Sequence, residues 1–231
     1  MICIYDDHLV LSLSVSSVAF LKFKVKNDAH WITMEKEDPS MELSELYQKC
    51  RTIRKFTQEE IPEKDIDAIL ENLRYVHSGN NRQTLSYVAV TSKEKRAAVS
   101  DLVHYAAILP RKIADPKENE KATAYLIIVG AADHNRTIDI DTGIAAEYVM
   151  ESAFELGIGS CMMLNYNVTE VNKILELPKE QTSLMVIALG YSAHTSEAVE
   201  IGEDGSTAYT CDAQYHFRVP KKTVAQIAKK I

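Results

Sequence analysis

Four short apolar runs, at positions 85–91, 124–131, 160–164 and 184–191, limit most tightly what this chain can become. Runs of that length read as strands inside a sheet rather than as helices. The stretches between them carry a different period. Leu43, Leu46, Tyr47 and Cys50 fall at i, i+3, i+4 and i+7, and so do Ile66, Ile69, Leu70 and Leu73, behind Pro62 near a helix start. A third helical face joins Val99, Leu102, Val103 and Ala106, and a fourth joins Val224, Ile227, Ala228 and Ile231. Residues 115–121, polar with one Pro, read as a loop. Taken by periodicity alone, this alternation suggests a doubly wound parallel sheet.

At 231 residues the chain is long enough for one sizeable core, and a single domain is favoured over two. A formal net charge of -7 argues against nucleic acid, because a long phosphate surface needs an excess of Lys and Arg. Small molecules are the expected partners. Cys3, Cys50, Cys161 and Cys211 are widely separated, with no Cys-x-x-Cys pair and no His at metal-ligand spacing. No metal is therefore expected, and a reducing, cytoplasmic setting is. Residues 8–21 are apolar but too short and too Ser-rich to span a bilayer, and Asp6 and Asp7 stand where an export signal carries positive charge. No membrane association is expected. Leu11, Leu13 and Val15, then Leu21, Phe23 and Val25, alternate with Ser and Lys, the pattern of a strand pair. Residues 1–40 are expected to be an extension outside the main fold, with native translation starting at Met34 or Met41.

Two motifs carry chemistry. Arg51-Thr52-Ile53-Arg54-Lys55-Phe56 offers guanidiniums and a hydroxyl where a helix gives way to a turn, which suits forked hydrogen bonds to phosphate. Alone, Arg51, Arg54 and Lys55 read sooner as a solvated positive edge at a helix end. Ser78-Gly79-Asn80-Asn81-Arg82-Gln83 supplies carboxamides that can donate to and accept from a planar heterocycle. Alone, Asn80 and Asn81 read as a turn. Cys161 has no activating base placed by the sequence and reads as core. Gly157-Ile158-Gly159 has Met162 where a dinucleotide loop needs its last Gly, so no Rossmann site is expected. His77 reads as a turn residue.

These two motifs resemble the flavin-binding signature of the nitroreductase family, the FMN-dependent NAD(P)H oxidoreductases. The resemblance extends in order through Asp141-Thr142-Gly143-Ile144-Ala145-Ala146 to Gly159-Ser160-Cys161, then Val186-Ile187-Ala188-Leu189-Gly190-Tyr191 and Val219-Pro220-Lys221-Lys222, and covers about residues 41–231. It implies an α+β fold, a mixed sheet wrapped by helices, in a homodimer with a long shared helical interface, and this replaces the doubly wound expectation. A helix over 141–156 fits that interface, since Gly143, Ala145, Ala146, Ser152 and Ala153 would let another helix approach closely; ordinary core packing is the competing reading.

Carried onto this chain, the resemblance implies that Arg51, Thr52 and Arg54 hold FMN phosphate and ribityl, and that Ser78, Asn81 and Gln83 lie near the ribityl chain or ring edge. Leu164 and Asn165 would supply backbone near N5, and Lys221 and Lys222 would close on the phosphate. No catalytic side chain is implied: hydride passes from NADH or NADPH to N5 and on to a nitroaromatic, quinone or enone, in ping-pong order. The alternatives are a reductive dehalogenase, a flavin-cleaving enzyme or a non-catalytic flavin-binding protein. Three departures from the family pattern stand out. Cys50 replaces a frequent Arg, His77 and Thr84-Leu85 replace Pro and Pro-Trp, and Asn165 replaces a Gly, which a left-handed backbone at that position would accommodate.

Overall fold

The computed structural model describes residues 2–5, 8–11, 20–23, 34–37, 42–105 and 109–231. These fall into two units, Met1–Glu42 and Leu43–Ile231. In the first, β1 (Ile2–Tyr5) pairs antiparallel with β2 (His8–Leu11), and β3 (Phe20–Phe23) with β4 (Met34–Glu37). The expected strand pair, around residues 11–16 and 21–26, lies largely outside the described residues; β2 ends at Leu11 and pairs with β1, and β3, with Leu21 and Phe23, pairs with β4. Period-two patterning selects a strand and leaves its partner open.

The second unit runs α1 (Leu43–Lys49), α2 (Glu63–Asn72), β5 (Ser86–Val90), α3 (Lys93–Ser100), α4 (Arg111–Ala114), β6 (Ala124–Ala131) and α5 (Arg136–Glu155). It continues through β7 (Gly159–Met163), α6 (Val168–Ile174), β8 (Gln181–Gly190), β9 (Thr195–Glu200), β10 (Thr210–Cys211), β11 (His216–Lys221) and α7 (Val224–Ile227). The central sheet has the order β5-β6-β8-β7, and every neighbouring pair is antiparallel. The doubly wound parallel sheet is therefore wrong, because a run buried on both faces looks the same whichever way the strand points. Among the described residues, parallel pairing occurs only outside that sheet, at a Thr52–Ser160 bridge on the free edge of β7 and between β9 and β11 in a smaller sheet of order β10-β11-β9.

β6 explains why its run is apolar without interruption. Tyr125, Ile127 and Val129 face one core with Phe56, Val99, Val103, Cys161 and Val186, while Leu126 and Ile128 face another with Ile66, Ile69, Ala145, Ala146 and Val149. Helices α2 and α5 cover the second face; α3 and α6 lie on the first. At about 25 cal/mol per Å² of apolar surface removed from water, this double burial is the main force ordering the sheet.

Four helix expectations need correction. α5 begins at Arg136, five residues before the expected start, because the Asn135 side chain caps it by accepting from the N–H groups of Thr137 and Ile138. Ala145, Ala146 and Ala153 on α5 are fully buried within the chain, and Ser152 accepts a hydrogen bond from Asn72 at 3.0 Å, so these are core residues rather than an interface. Of the small residues named for that interface, only Gly143 is exposed, with open space around its Cα. α3 stops at Ser100, leaving Leu102 and Val103 beyond it, and Ala106 lies outside the described residues. α7 is a single turn whose Val224 and Ile227 are exposed, as is Ile231 after it.

Candidate functional site

After α1 the chain runs extended along the free edge of β7. Ile53 N–H donates to the Ser160 carbonyl at 2.8 Å, Phe56 N–H to Glu120 at 2.9 Å and Thr57 N–H to Tyr191 at 2.8 Å. Two glycines allow so close an approach. Gly159 and Gly190 face each other across β7 and β8, and a Cβ on the first would sit 2.9 Å from Ile53 Cβ, on the second 2.8 Å from Phe56 Cδ1. The glycine that resembles part of a nucleotide loop thus makes room for the Arg51–Phe56 segment.

The cations in that segment diverge. Lys55 is 2 % exposed, its Nζ 2.6 Å from a Glu120 carboxylate oxygen and 4.4 Å from the Tyr215 ring centroid. Burial alone would raise the Glu120 carboxyl, but hydrogen bonds from Lys55 and from the Lys117 N–H outweigh it and hold the group below its ordinary value. Arg54 points elsewhere, its guanidinium 4.8 Å from the Tyr209 centroid and 5.4 Å from that of Phe217. Arg51 donates through Nη2 to the Tyr47 carbonyl at 2.6 Å. The Nε atoms of Arg51 and Arg54 are buried and have no hydrogen-bond partner among the described residues. Cys50 is buried, and its thiol is pushed up to about 11 by burial and then by Glu147, so it offers no replacement for a guanidinium.

Thr52 and Arg54 open onto a cleft of about 390 Å³ that is shared with Leu164 and Asn165. Four predicted site residues meet here. Met162, Met163 and Met185 add an apolar wall, Cys161 lies alongside, and His104 stands at the rim. Leu164 is 72 % exposed. His104 was missed by sequence reasoning; it arrives because residues 102–104 pair with 165–167, through a Val103–Tyr166 bridge and a 3.0 Å bond from His104 N–H to the Asn165 carbonyl. Asn165 is not left-handed: among the described residues other than glycine, positive φ occurs at Asn80, Asn81, Gln83, Glu176 and Tyr215. The Cys161 thiol is pushed up to about 11 by burial and so stays protonated at neutral pH, as a core cysteine does.

The amide motif forms a separate feature. Gly79–Asn81 is one 3-10 turn, followed by left-handed Gln83. Its Gly79 N–H donates to both carboxylate oxygens of buried Asp141, at 3.0 and 3.2 Å, and Gln83 N–H donates to Ser78 Oγ at 3.1 Å. A Cβ on Gly79 would meet Thr137 Cγ2 at 2.5 Å, which ties the turn to the start of α5. The Gln83 amide donates to Asn81 Oδ1 at 3.3 Å, and Asn81 is exposed. Ser78 and Gln83 line a second cavity of about 210 Å³ with Leu85, Tyr87 and His77, whose Nδ1 is 3.0 Å from the Tyr148 hydroxyl. The two cavities share no lining residue. Lys221 and Lys222 join neither; Lys221 ends β11 opposite Glu200, roughly 13 Å along the strand from Phe217.

A family model described as the nitroreductase family matches residues 48–191. This chain belongs to the nitroreductase family. Within it, the chain is 25% identical over 167 residues to an FMN reductase [NAD(P)H] of Bacillus subtilis (strain 168), covering 63% of this chain and 64% of that one, just under two thirds of the relative's length. Solved structures share the fold of this nitroreductase-family chain, two from Clostridium species among them. An FMN-dependent nitroreductase from Clostridium difficile R20291 matches with a TM-score of 0.54 at 23% identity over 68% of this chain and 90% of that one. A nitroreductase family protein from Clostridium novyi NT matches with a TM-score of 0.56 at 20% identity over 66% and 87%. Among the described residues no helix is long and apolar enough to cross a membrane, and no group of three or more His, Cys, Asp or Glu could hold a metal ion.

Proposed function

We propose that this nitroreductase-family chain is a cytoplasmic FMN oxidoreductase that draws electrons from NADH or NADPH and passes them to a small acceptor such as a nitroaromatic, quinone or enone. The observation that carries the reading is the pair of buried Nε donors of Arg51 and Arg54, without a partner among the described residues, with Arg54 lining a cleft together with Thr52, Leu164 and Asn165. A buried donor without an acceptor costs about 1–3 kcal/mol, which an anionic oxygen would recover. The donor set therefore fits the phosphate end of FMN, with Arg51 and Arg54 holding its charge and Thr52 the adjoining ribityl chain.

Bound FMN would supply two-electron exchange between nicotinamide and acceptor at N5. The chain's own part is orientation and exclusion of water. In this reading the Leu164–Asn165 backbone supports the ring, and Met162, Met163 and Met185 give the cleft an apolar wall for it. Cys161, held as a thiol, takes no covalent part.

The hydroxyl of Ser78 and the carboxamides of Asn81 and Gln83, like Lys221 and Lys222, stand apart from this cleft within one chain. A second copy that brings its own amide loop and basic segment against the cleft completes the set, so the homodimer is part of the proposal. The deciding experiment is to purify the protein, release its ligand with acid and identify it by mass and absorbance. FMN is expected, followed by oxidation of NADH or NADPH with a quinone or nitroaromatic. A protein that holds no flavin overturns the reading, and one that holds FMN but oxidises neither nicotinamide is a flavin-binding protein without turnover.

A further inference from the structure

The Arg51–Phe56 segment and the Thr57 that follows it take backbone hydrogen bonds at Ile53, Phe56 and Thr57, each N–H finding a main-chain carbonyl. Arg54 N–H is different: it donates to a side chain, the Nε2 of His194, at 2.8 Å. His194 follows β8, is 8 % exposed, and has its ring 4.6 Å from that of Phe217, one of the two rings beside the Arg54 guanidinium. Its other nitrogen, Nδ1, faces the Thr195 carbonyl at 3.1 Å. A carbonyl only accepts, so Nδ1 carries the hydrogen and Nε2 is left as the acceptor. Both contacts are met together only by the neutral ring in this one tautomer.

We infer that His194 is a positioning residue for Arg54, and that protonating its ring releases the Arg54 backbone and weakens the grip on the phosphate of FMN. The inference rests on the proposed FMN site. Protonation would place a second N–H against the Arg54 N–H, turning an attractive contact repulsive. The charged groups acting on the ring are Arg54 and Lys55, both cationic; burial is the larger influence, and all three hold the imidazole below its ordinary value of 6.5, against the Thr195 carbonyl. Glu120 is engaged by Lys55, and Glu197 by His216 and Arg218, so neither carboxylate is free to act as a counter-ion to the His194 ring. With its folded value depressed, the neutral ring's contribution is full above about 6.5 and is lost as pH falls through the lower folded value.

The direction separates this role from a bystander's. A histidine that merely sat near the phosphate would strengthen anion binding as it gained charge in acid; a ring that positions Arg54 through its acceptor nitrogen does the opposite. The test uses the full chain freed of flavin and two readouts. Nitrogen-proton spectra should show the Arg54 amide proton shifted far downfield at pH 7.5 and moving toward ordinary values as the pH is lowered, together with the ring nitrogens of His194.

FMN affinity, read by quenching of flavin fluorescence, should fall about tenfold across the same titration, the loss of one good hydrogen bond. His194→Gln retains an acceptor that does not titrate. It should bind FMN within about twofold of wild type at pH 7.5 and lose the excess pH dependence, leaving only that of the phosphate itself. His194→Leu should bind about tenfold more weakly throughout. An Arg54 amide that ignores the His194 titration, or a Gln variant with an unchanged pH profile, overturns the inference. Absence of FMN binding while the amide follows His194 leaves the positioning role standing and removes the proposed function instead.

Discussion

Arg54 is the residue on which most of the site converges: backbone held by His194, guanidinium beside two rings, Nε without a partner among the described residues. Arg54→Ala is expected to weaken FMN binding by roughly ten- to a hundredfold, since a hydrogen bond to a charged group is worth about 1.5–3 kcal/mol. Titration of the flavin-free variant checks this, and unchanged affinity would take Arg54 out of the site. The neighbouring Lys55 has a structural task. With its Nζ against Glu120 in a setting 2 % and 16 % exposed at the two side chains, removing one partner strands the other. Glu120→Gln is expected to cost about 3–5 kcal/mol in denaturant unfolding at neutral pH. Because the folded Glu120 value is depressed, the wild type should also shed stability as pH falls below about 4.5, and the variant should lose less over that window. An identical acid profile for both proteins would show that the pair contributes nothing.

At the scale of elements, the glycines set the geometry. Gly190→Ala would drive a methyl to within 2.8 Å of Phe56, a side chain with no exposure and no room to retreat. A loss of about 1–3 kcal/mol is expected, with weaker FMN binding as the Arg51–Phe56 segment is pushed off the sheet. Thermal unfolding beside flavin titration measures both, and a variant equal to wild type in each would mean that the segment's position does not depend on that contact. This is also where sequence reading succeeded and failed. The 124–131 run coincides with β6 because burial on both faces leaves no position free to be polar. Strand direction was invisible, since it depends on which strand lies alongside. Arg54 and Asn165 were legible as motif residues, but His194 was not: it works through a hydrogen bond to a residue 140 positions away, and no local pattern marks it. The start of α5 was readable in principle from Asn135, an amide able to cap two free N–H groups.

For the whole molecule, the separation of the two cavities within one chain makes assembly the central question. The proposed homodimer predicts a mass near twice that of the chain by light scattering, and release of flavin on dilution. Gly143 gives a clean probe, because nothing lies within 4 Å of where its Cβ would stand and the isolated fold should accept a side chain there. If α5 packs against a second copy at this point, Gly143→Arg should yield a folded monomer with FMN affinity reduced at least tenfold. A monomeric wild type that keeps stoichiometric FMN would end the proposal. On the proposed function one flavin serves two substrates in turn, so initial rates at several fixed acceptor concentrations should give parallel double-reciprocal lines. Intersecting lines would mean that both substrates are bound together.

The stretch that carries Thr52 and Arg54 also occupies the outer edge of β7, through the Thr52–Ser160 bridge and the Ile53 N–H. Without it, that edge would present unpaired backbone groups beside the exposed side chains of Met162 and Leu164, a template for strands from other molecules. The proposed grip on FMN and protection against aggregation therefore fall to the same few residues. Substitutions that loosen this stretch to widen the cleft are expected to reduce solubility in proportion, and saturating the protein with ligand during expression should raise the soluble yield.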